Sequence, residues 1–227
     1  METEKRSPER IRAVMFDLDG TLTDTLRDIG DAMNWALEQY GLPGWATEEY
    51  RYLVGNGAKV LARRAVRDRQ DLAEQVHAAY QRQYETHNMI HTRPYPGIPE
   101  LLDTLQRMGI LLCVLSNKPD RDTKQVVSHY FPAVRFRRVL GQTDRFPLKP
   151  DPAAALSIAE ELGADPEEFA YLGDTSVDMT CAKRAGMHAT GVLWGFRDAG
   201  ELTESGAEHL LEKPEDFFRM YPLSAMK

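Results

Sequence analysis

The stretch that decides the fold is Ala13-Val14-Met15-Phe16-Asp17-Leu18-Asp19-Gly20-Thr21. Its four apolar residues predict a short buried strand, and the polar residues after them predict a loop at the carboxyl end of that strand. Asp17 and Asp19 are two positions apart, so in an extended segment they face the same way. One carboxylate in such a place can attack phosphorus while the other moves a proton. Ordinary Asx turns and calcium loops share this pattern, so the stretch alone does not settle the chemistry.

Two further segments place phosphate-binding groups after apolar or turn residues. The apolar run Ile110–Leu115 ends in Ser116 and Asn117, where a hydroxyl and freed N–H groups can hold a phosphate. Lys149 stands just before a predicted helix, with Asp151 as its N-cap and Pro152 in its first position. The Lys149 ammonium can neutralise a phosphate oxygen.

A last apolar run, Ala170–Gly173, leads into Asp174, and Asp178 follows four positions later. Oxygen ligands of this kind suit Mg²⁺, which commonly uses one or two carboxylates together with substrate phosphate. Each segment also has a plain structural explanation, such as a turn, a solvated lysine or an acid at a helix start. Asp17, Ser116 and Asp174 each end a separate predicted strand, however, and open α/β sheets bind ligands outside those ends.

The four segments together resemble the motifs of the haloacid dehalogenase superfamily, over nearly the whole chain. The matching residues are Asp17, Asp19 and Thr21 in the first motif, Ser116 in the second, Lys149 in the third, and Gly173, Asp174 and Asp178 in the fourth. Asp19 argues against the dehalogenases that named the superfamily, which lack the second acid, and favours its phosphotransferase branch.

The resemblance implies a set of roles. Asp17 is expected as nucleophile and Asp19 as general acid and base. Phosphate contacts are expected from Thr21, Ser116, Asn117 and Lys149. A Mg²⁺ cofactor is expected on Asp17, Asp174 and the carbonyl of Asp19, with Asp178 in support, orienting Lys149 or a metal-bound water.

The remaining periodicity predicts an α/β fold, a Rossmann-like parallel sheet with helices on both faces. From Tyr95 onward, apolar runs ending near Leu115, Leu140, Leu172 and Trp194 alternate with helical stretches. Between Asp24 and Arg93 only helical spacing is found, which predicts an inserted all-helical cap. We therefore predict a catalytic core of residues 1–22 and 94–227 and a cap of residues 23–93.

Local segments resemble phosphoglycolate phosphatases in particular. These are Phe16–Leu22, Val54–Ala58, Pro94–Gly97, Ser116–Pro119, Lys149–Pro152 and Gly191–Arg197. The resemblance implies a small phosphomonoester as substrate, and 2-phosphoglycolate is the one expected. The cap would then recognise its carboxylate, with Asn56, Lys59, Arg63 and Arg64 as candidates, although such bases are more often a solvated helix face.

Other functions stay open at this point. A phosphomutase of the β-phosphoglucomutase type would share every core motif, and another small ester or pyrophosphate could be the substrate. A receiver-type signalling module needs no helical insertion and lacks the second Asp of the first motif. A binding protein on a retired enzyme scaffold is disfavoured because all four motifs are intact.

Composition limits the partners. The chain has 227 residues and a formal net charge of −7, which disfavours nucleic acid and anionic membranes as partners. It has no long apolar run or signal-peptide pattern, and its two cysteines form no disulfide framework, so we expect a cytoplasmic protein. The charged residues 1–10 are expected to be a frayed tail. Nothing in the sequence indicates the oligomeric state.

Overall fold

The computed structural model describes residues 11–221 and is built on a six-stranded parallel sheet. The tail expected at residues 1–10 lies outside the described residues. In chain order the sheet strands are β1 (Ala13–Phe16), β4 (Leu111–Pro119), β5 (Phe136–Gln142), β6 (Phe169–Gly173), β7 (His188–Val192) and β8 (His209–Leu211). Their spatial order is β5-β4-β1-β6-β7-β8, so the first strand lies at the centre.

The sheet is covered on both faces, as the sequence predicts. Helices of the core are α5 (Ile98–Arg107), α6 (Asp120–Tyr130), α7 (Ala153–Leu162), α8 (Ser176–Ala185), α9 (Ala199–Glu204) and α10 (Phe217–Met220). Because side chains of a strand alternate in direction, Val14 and Phe16 pack with α5, α6 and α10, whereas Ala13 and Met15 pack with α7 and α8. The strand β1 is therefore buried on both sides, which explains its uninterrupted apolar run.

Four helices are inserted between β1 and α5, and we call them the helical cap. They are α1 (Leu26–Glu38), α2 (Tyr50–Leu53), α3 (Ala58–Ala65) and α4 (Ala73–His87). They share a hydrophobic cluster of their own, centred on side chains such as Met33, Tyr50 and Val76, which Phe196 of the core joins. The domain limits at residues 23 and 93 stay a prediction.

The third cap helix is shorter than the sequence predicts. The helical spacing of residues 58–69 predicts one helix over that range, but α3 ends at Ala65 and Arg67 adopts a φ of 53°. The Arg67 guanidinium donates to the carbonyls of Pro43 and Gly44 and stacks over Trp45, 3.8 Å from its ring centroid. These contacts stabilise a left-handed backbone that is unfavourable for arginine, and they end the helix early.

A two-stranded antiparallel ribbon, which the sequence did not predict, joins cap and core. Strand β2 (Thr23–Asp24) leaves the core and β3 (Arg93–Pro94) returns to it, with Thr23 opposite Pro94. The buried Asp28 carboxylate fastens the two crossings, accepting hydrogen bonds from the backbone N–H groups of His91 and Thr92 and from the Thr92 hydroxyl.

Two further findings concern sequence-based expectations about the chain as a whole. Within residues 11–221, no helix has the length and apolarity needed to cross a bilayer. Cys113 and Cys181 are both buried free thiols. The cytoplasmic location stays a prediction.

Candidate active site

The carboxyl ends of three neighbouring strands bring the predicted motifs together. Because β1 pairs with β4 on one side and β6 on the other, Asp17, Ser116 and Asp174 converge on one edge of the sheet. Ser116 lies within the last part of β4, where the pairing with β5 becomes irregular after Leu115. The strand order, rather than proximity in sequence, assembles the site.

Lys149 holds the centre of this cluster. Its Nζ lies 2.9 Å from Asp17 Oδ1 and 2.7 Å from Asp178 Oδ1, and it donates to the carbonyl of Leu115 at 3.0 Å. Burial alone would lower the pKa of Lys149, but the two carboxylates outweigh it and raise that pKa well above its usual range. Lys149 therefore stays charged.

The helix after Lys149 begins one residue later than the sequence predicts. Pro152, and not Asp151, is the N-cap of α7, and the Asp151 carboxylate accepts a hydrogen bond from the N–H of Ala153, where α7 begins.

Asp178 combines the two explanations that its sequence position allows. One oxygen binds Lys149, and the other accepts hydrogen bonds from the backbone N–H and the hydroxyl of Thr175, at 3.1 and 2.6 Å. The residue thus caps the start of α8 and also orients the lysine.

Asp174 is fixed from two sides. Its Oδ1 accepts from the Thr21 hydroxyl at 3.1 Å, and its Oδ2 accepts from the backbone N–H of Phe196 at 2.9 Å. Gly20 has a φ of 88°, and a Cβ there would lie 2.2 Å from Asp174 Oδ2. The first and fourth motifs therefore contact each other directly, and only glycine fits at position 20.

The site carries more negative charge than its lysines balance. Burial raises the pKa of Asp17 to about 7, helped by the charges of Asp178 and Asp19 and opposed by Lys149. Burial likewise raises the pKa of Asp174 well above its usual range, with Asp178 and Asp17 adding to the effect. These shifts show that a further positive charge would stabilise the ionised site.

The acidic cluster fits a divalent metal ion. Oxygen atoms of Asp17, Asp174 and Asp178, all buried, lie within 4.8 Å of one another. Asp17 Oδ1 receives no hydrogen bond of normal geometry, despite the approach of Lys149. The three carboxylates face one ammonium group, that of Lys149, and the resulting formal charge of −2 matches a divalent cation. Carboxylate oxygens are what hard divalent cations prefer.

Asp19 faces away from this cluster and toward the cap. Both of its carboxylate oxygens lie within 3.1 Å of Lys118 Nζ, which also donates to the hydroxyl of Tyr84 on α4 at 2.6 Å. The sequence assigned no role to Lys118 or Tyr84. The segment Ser116-Asn117-Lys118-Pro119 could have drawn attention to the lysine, whereas the spacing of α4 identifies Tyr84 only as a helix-face residue.

Three residues expected to contact phosphate have protein partners. Thr21 donates to Asp174, as described above. Ser116 Oγ accepts from the N–H of Lys118 at 3.2 Å, which leaves its own proton available. Asn117 uses its side-chain amide to bind the backbone N–H and carbonyl of Lys149 and the carbonyl of Gly55 in the cap. Their roles toward phosphate stay predictions.

A cavity of about 230 Å³ lies between the core motifs and the cap. This volume is below the roughly 300–1,000 Å³ of pockets that hold drug-sized ligands, so it suits a small molecule. Residues that line it include Asp17, Asp19, Ser116 and Lys118 from the core and Gly55, Ala58, Leu61, Tyr80 and Tyr84 from the cap.

The four cap residues suggested by the sequence are not among those that line the cavity. Arg64 donates to the Asn56 side chain and to the carbonyl of Leu53 on the protein surface, and Arg63 lies 3.9 Å from Glu74 in an exposed pair. Lys59 likewise does not line the cavity. Their contact with substrate stays a prediction, without support from their placement.

The family follows from comparison with known proteins. The model of the family described as haloacid dehalogenase-like hydrolase matches residues 14–192, which contain all four motifs. The chain belongs to this family, and the sequence-based identification is confirmed.

Within the family, the chain is similar to phosphoglycolate phosphatases. One from Pseudomonas putida is 36% identical over 193 residues, covering 82% of this chain and 70% of the relative. One from Aquifex aeolicus is 30% identical over 210 residues, covering 92% and 96%.

Solved structures show the same fold. A protein from Lactobacillus delbrueckii subsp. bulgaricus superimposes with a TM-score of 0.88 at 27% identity, covering 93% of this chain and 99% of the other. A protein from Haemophilus somnus superimposes with a TM-score of 0.86 at 26% identity, covering 92% of this chain and 97% of the other. Both were assigned as phosphoglycolate phosphatases by prediction.

Proposed function

We propose that this enzyme hydrolyses 2-phosphoglycolate with Mg²⁺ through an aspartyl-phosphate on Asp17. Its broader class, phosphoric monoester hydrolase, follows from its family and its similarity to phosphoglycolate phosphatases. The observation that carries the proposal is the buried Asp17 oxygen beside Lys149 and Asp174, at the edge of a small cavity that Ser116 also lines.

Four residues have separate roles in the first half-reaction. A carboxylate oxygen of Asp17 attacks phosphorus, and the bond from phosphorus to the glycolate oxygen breaks. Asp19 donates a proton to the departing alkoxide. Lys149 and Ser116 offset negative charge on the phosphoryl oxygens.

The second half-reaction releases phosphate. Asp19 now takes a proton from a water molecule, whose oxygen attacks the aspartyl-phosphate and frees Asp17. Asp17, Asp174 and the Asp19 carbonyl would hold Mg²⁺, which would supply positive charge beside the phosphoryl oxygens. Asp178 keeps Lys149 in place.

The partners of the enzyme follow from this chemistry. Its substrate is a small phosphate ester, and the net charge of −7 argues against nucleic acid or a membrane as a partner. The buried free thiols support a cytoplasmic location.

Phosphate release tests the proposal. Purified enzyme is incubated with 2-phosphoglycolate, sugar phosphates, nucleotides, pyrophosphate and p-nitrophenyl phosphate, each with Mg²⁺ or with EDTA. We expect the highest kcat/KM for 2-phosphoglycolate, no turnover in EDTA and recovery with Mg²⁺. Full activity after exhaustive chelation would refute the metal requirement, and preference for another ester would remove 2-phosphoglycolate as the substrate.

The covalent step needs its own test. A single turnover with ³²P-labelled substrate, quenched in acid, should leave label on the wild-type protein and none on Asp17→Asn. Label that persists in Asp17→Asn would place the nucleophile elsewhere.

A further inference from the structure

Lys118 is a buried charged residue that the proposed mechanism does not use. Its side chain is only 3% exposed, and its ammonium lies between the Asp19 carboxylate of the core and the Tyr84 hydroxyl of the cap. It also lies 4.6 Å from the centre of the Tyr84 ring. A buried charge is costly unless it has enough partners, so its position at the cavity calls for a function.

Lys118 and Tyr84 have hydrogen-bond donors that are not all used within the protein. An ammonium group carries three N–H donors. Lys118 Nζ lies 3.0 and 3.1 Å from the two oxygens of the Asp19 carboxylate, a near-equal pair that one bifurcated N–H serves, and a second N–H is donated to Tyr84. Tyr84 accepts from Lys118, and within residues 11–221 its own O–H proton has no acceptor. Burial raises the pKa of Tyr84 well above its usual range, so that proton is retained. One N–H and one O–H are thus available to a ligand.

Among the residues that the structure describes, Lys118 is also the one buried cation on the wall of the cavity. Among the described residues lining it, the other cationic side chain is that of Arg121, which is 76% exposed and paired with Glu85 at the rim. An anionic group entering the cavity away from Asp17 therefore has Lys118 as its natural partner.

We propose that Lys118 and Tyr84 bind the carboxylate of the substrate and so determine specificity for carboxylated phosphoesters. This inference rests on the proposed function and assigns its substrate recognition to a core lysine and a cap tyrosine. The carboxylate accepts one hydrogen bond from the Lys118 ammonium and one from the Tyr84 hydroxyl, while Asp19 keeps its contact with Lys118.

The spacing suits a short substrate. Ser116 and Lys118 line the same cavity of about 230 Å³, whose small volume favours a short ester. The Lys118 ammonium lies 3.0 and 3.1 Å from the carboxylate oxygens of Asp19, the proposed proton donor to the leaving oxygen. A carboxylate bound to Lys118 is therefore close to that oxygen, as in an ester whose carboxylate and ester oxygen are joined by one methylene group.

The experiment compares two substrates that differ in the carboxylate, 2-phosphoglycolate and ethyl phosphate. Lys118→Met removes the charge and keeps the length of the side chain, Lys118→Arg retains the charge, and Tyr84→Phe removes only the hydroxyl. Lys124→Met is the matched control, because Lys124 is 58% exposed on α6 and pairs with Asp120 outside the cavity.

Lys118→Met should lower kcat for both substrates, since Asp19 loses a partner. The specific result is an additional loss of about 10- to 100-fold in kcat/KM for 2-phosphoglycolate, which corresponds to a lost hydrogen bond between charged groups. Tyr84→Phe should cost about 3- to 10-fold, again only for 2-phosphoglycolate. Lys118→Arg should recover part of the preference, and Lys124→Met should match wild type.

A binding measurement separates recognition from catalysis. In an Asp17→Asn background, Lys118→Met should weaken the Kd of 2-phosphoglycolate about 10-fold or more while that of inorganic phosphate changes little. If Lys118→Met and Tyr84→Phe both leave the ratio of kcat/KM between the two substrates unchanged, the inference is wrong and the proposed function stands. If wild-type enzyme prefers ethyl phosphate, the substrate assignment and the inference fail together. Circular dichroism shows which variants are folded. If Lys118→Met does not fold, the result with Tyr84→Phe decides whether the inference holds.

Discussion

The two ends of the cavity are built in contrasting ways. At the core end, Lys149, Asp174 and Asp178 are buried and each has two or more polar partners, which for Lys149 are Asp17, Asp178 and a carbonyl. At the cap end the wall is mostly apolar, with side chains such as Leu61 and Tyr80. Phosphoryl transfer needs fixed charges at fixed positions, whereas a cap wall can select substrates by shape and a few polar groups.

The largest effect should come from the core end. Asp17→Asn is nearly isosteric but cannot attack phosphorus, so we expect kcat to fall by more than about 10⁴-fold with the fold intact. Steady-state kinetics together with circular dichroism measure this. Residual activity within tenfold of wild type in a folded sample would show that Asp17 is not the nucleophile.

The second largest effect should come from Asp19, which is the proposed acid and base of the core end and also contacts Lys118 beside the cap. Asp19→Asn removes proton transfer, and we expect kcat to fall by about 10²- to 10⁴-fold. Kinetics with p-nitrophenyl phosphate, whose leaving group needs little protonation, provide a control that should lose less. A change in KM alone would contradict the role in proton transfer.

Lys149→Met should show how strongly the core end depends on charge balance. It leaves Asp17 and Asp178 buried without a cation, which costs about 3–5 kcal/mol of unfolding free energy. Urea unfolding at pH 8 in EDTA measures it, with exposed Lys124→Met as control, expected below about 1 kcal/mol. The double variant Lys149→Met/Asp178→Asn should regain part of the loss. Equal stability of the two single variants would argue against a buried charge network.

The pH dependence of stability tests the shifted pKa of Asp17. In EDTA the folded protein keeps the Asp17 proton up to about pH 7, while the unfolded chain has already lost it. The folded state thus binds more protons, and its stability should fall as the pH rises toward 7. Tm measured against pH should fall more steeply for wild type than for Asp17→Asn, and Mg²⁺ should reduce the difference. Parallel curves in EDTA would contradict the raised pKa.

The smallest effect should come from the outer surface of the cap. Arg64→Ala removes exposed contacts to Asn56 and Leu53, so we expect kcat/KM for 2-phosphoglycolate to change by less than about twofold. The sequence-based hypothesis instead predicts a loss of about 1.5–3 kcal/mol, that of a hydrogen bond to a charged group, at whichever of Lys59, Arg63 and Arg64 contacts substrate. Parallel kinetics on Lys59→Ala and Arg63→Ala would identify any of the three that contacts substrate.

The sequence predicted the residues at the core end of the cavity better than those at the cap end. Three of the four core motifs were predictable because each follows an apolar run, and the rule that parallel strands share one carboxyl edge brings Asp17, Ser116 and Asp174 together. The role of Asp178 was narrowed to two explanations, and the structure contains both. Family resemblance supplied the rest of the mechanism.

The cap end could not be derived in this way. The contact between Tyr84 and Lys118 depends on how α4 packs across the core, which helical periodicity does not specify. The same periodicity could not tell that Arg64 turns toward Asn56. The bonds of Asn117 to Lys149 and Gly55 cross 32 and 62 positions of sequence, and no local pattern encodes such pairs.

The ribbon of β2 and β3 has a consequence for how such a protein can diversify. Thr23 and Pro94 are directly paired, so the insertion leaves and re-enters the core at neighbouring points. The entropy of closing a loop between two such points grows only logarithmically, by about 0.6 kcal/mol for each doubling of length. The inserted segment can therefore be lengthened, shortened or exchanged with little penalty to the sheet. Substrate range can change in one place while the phosphoryl chemistry is inherited unaltered.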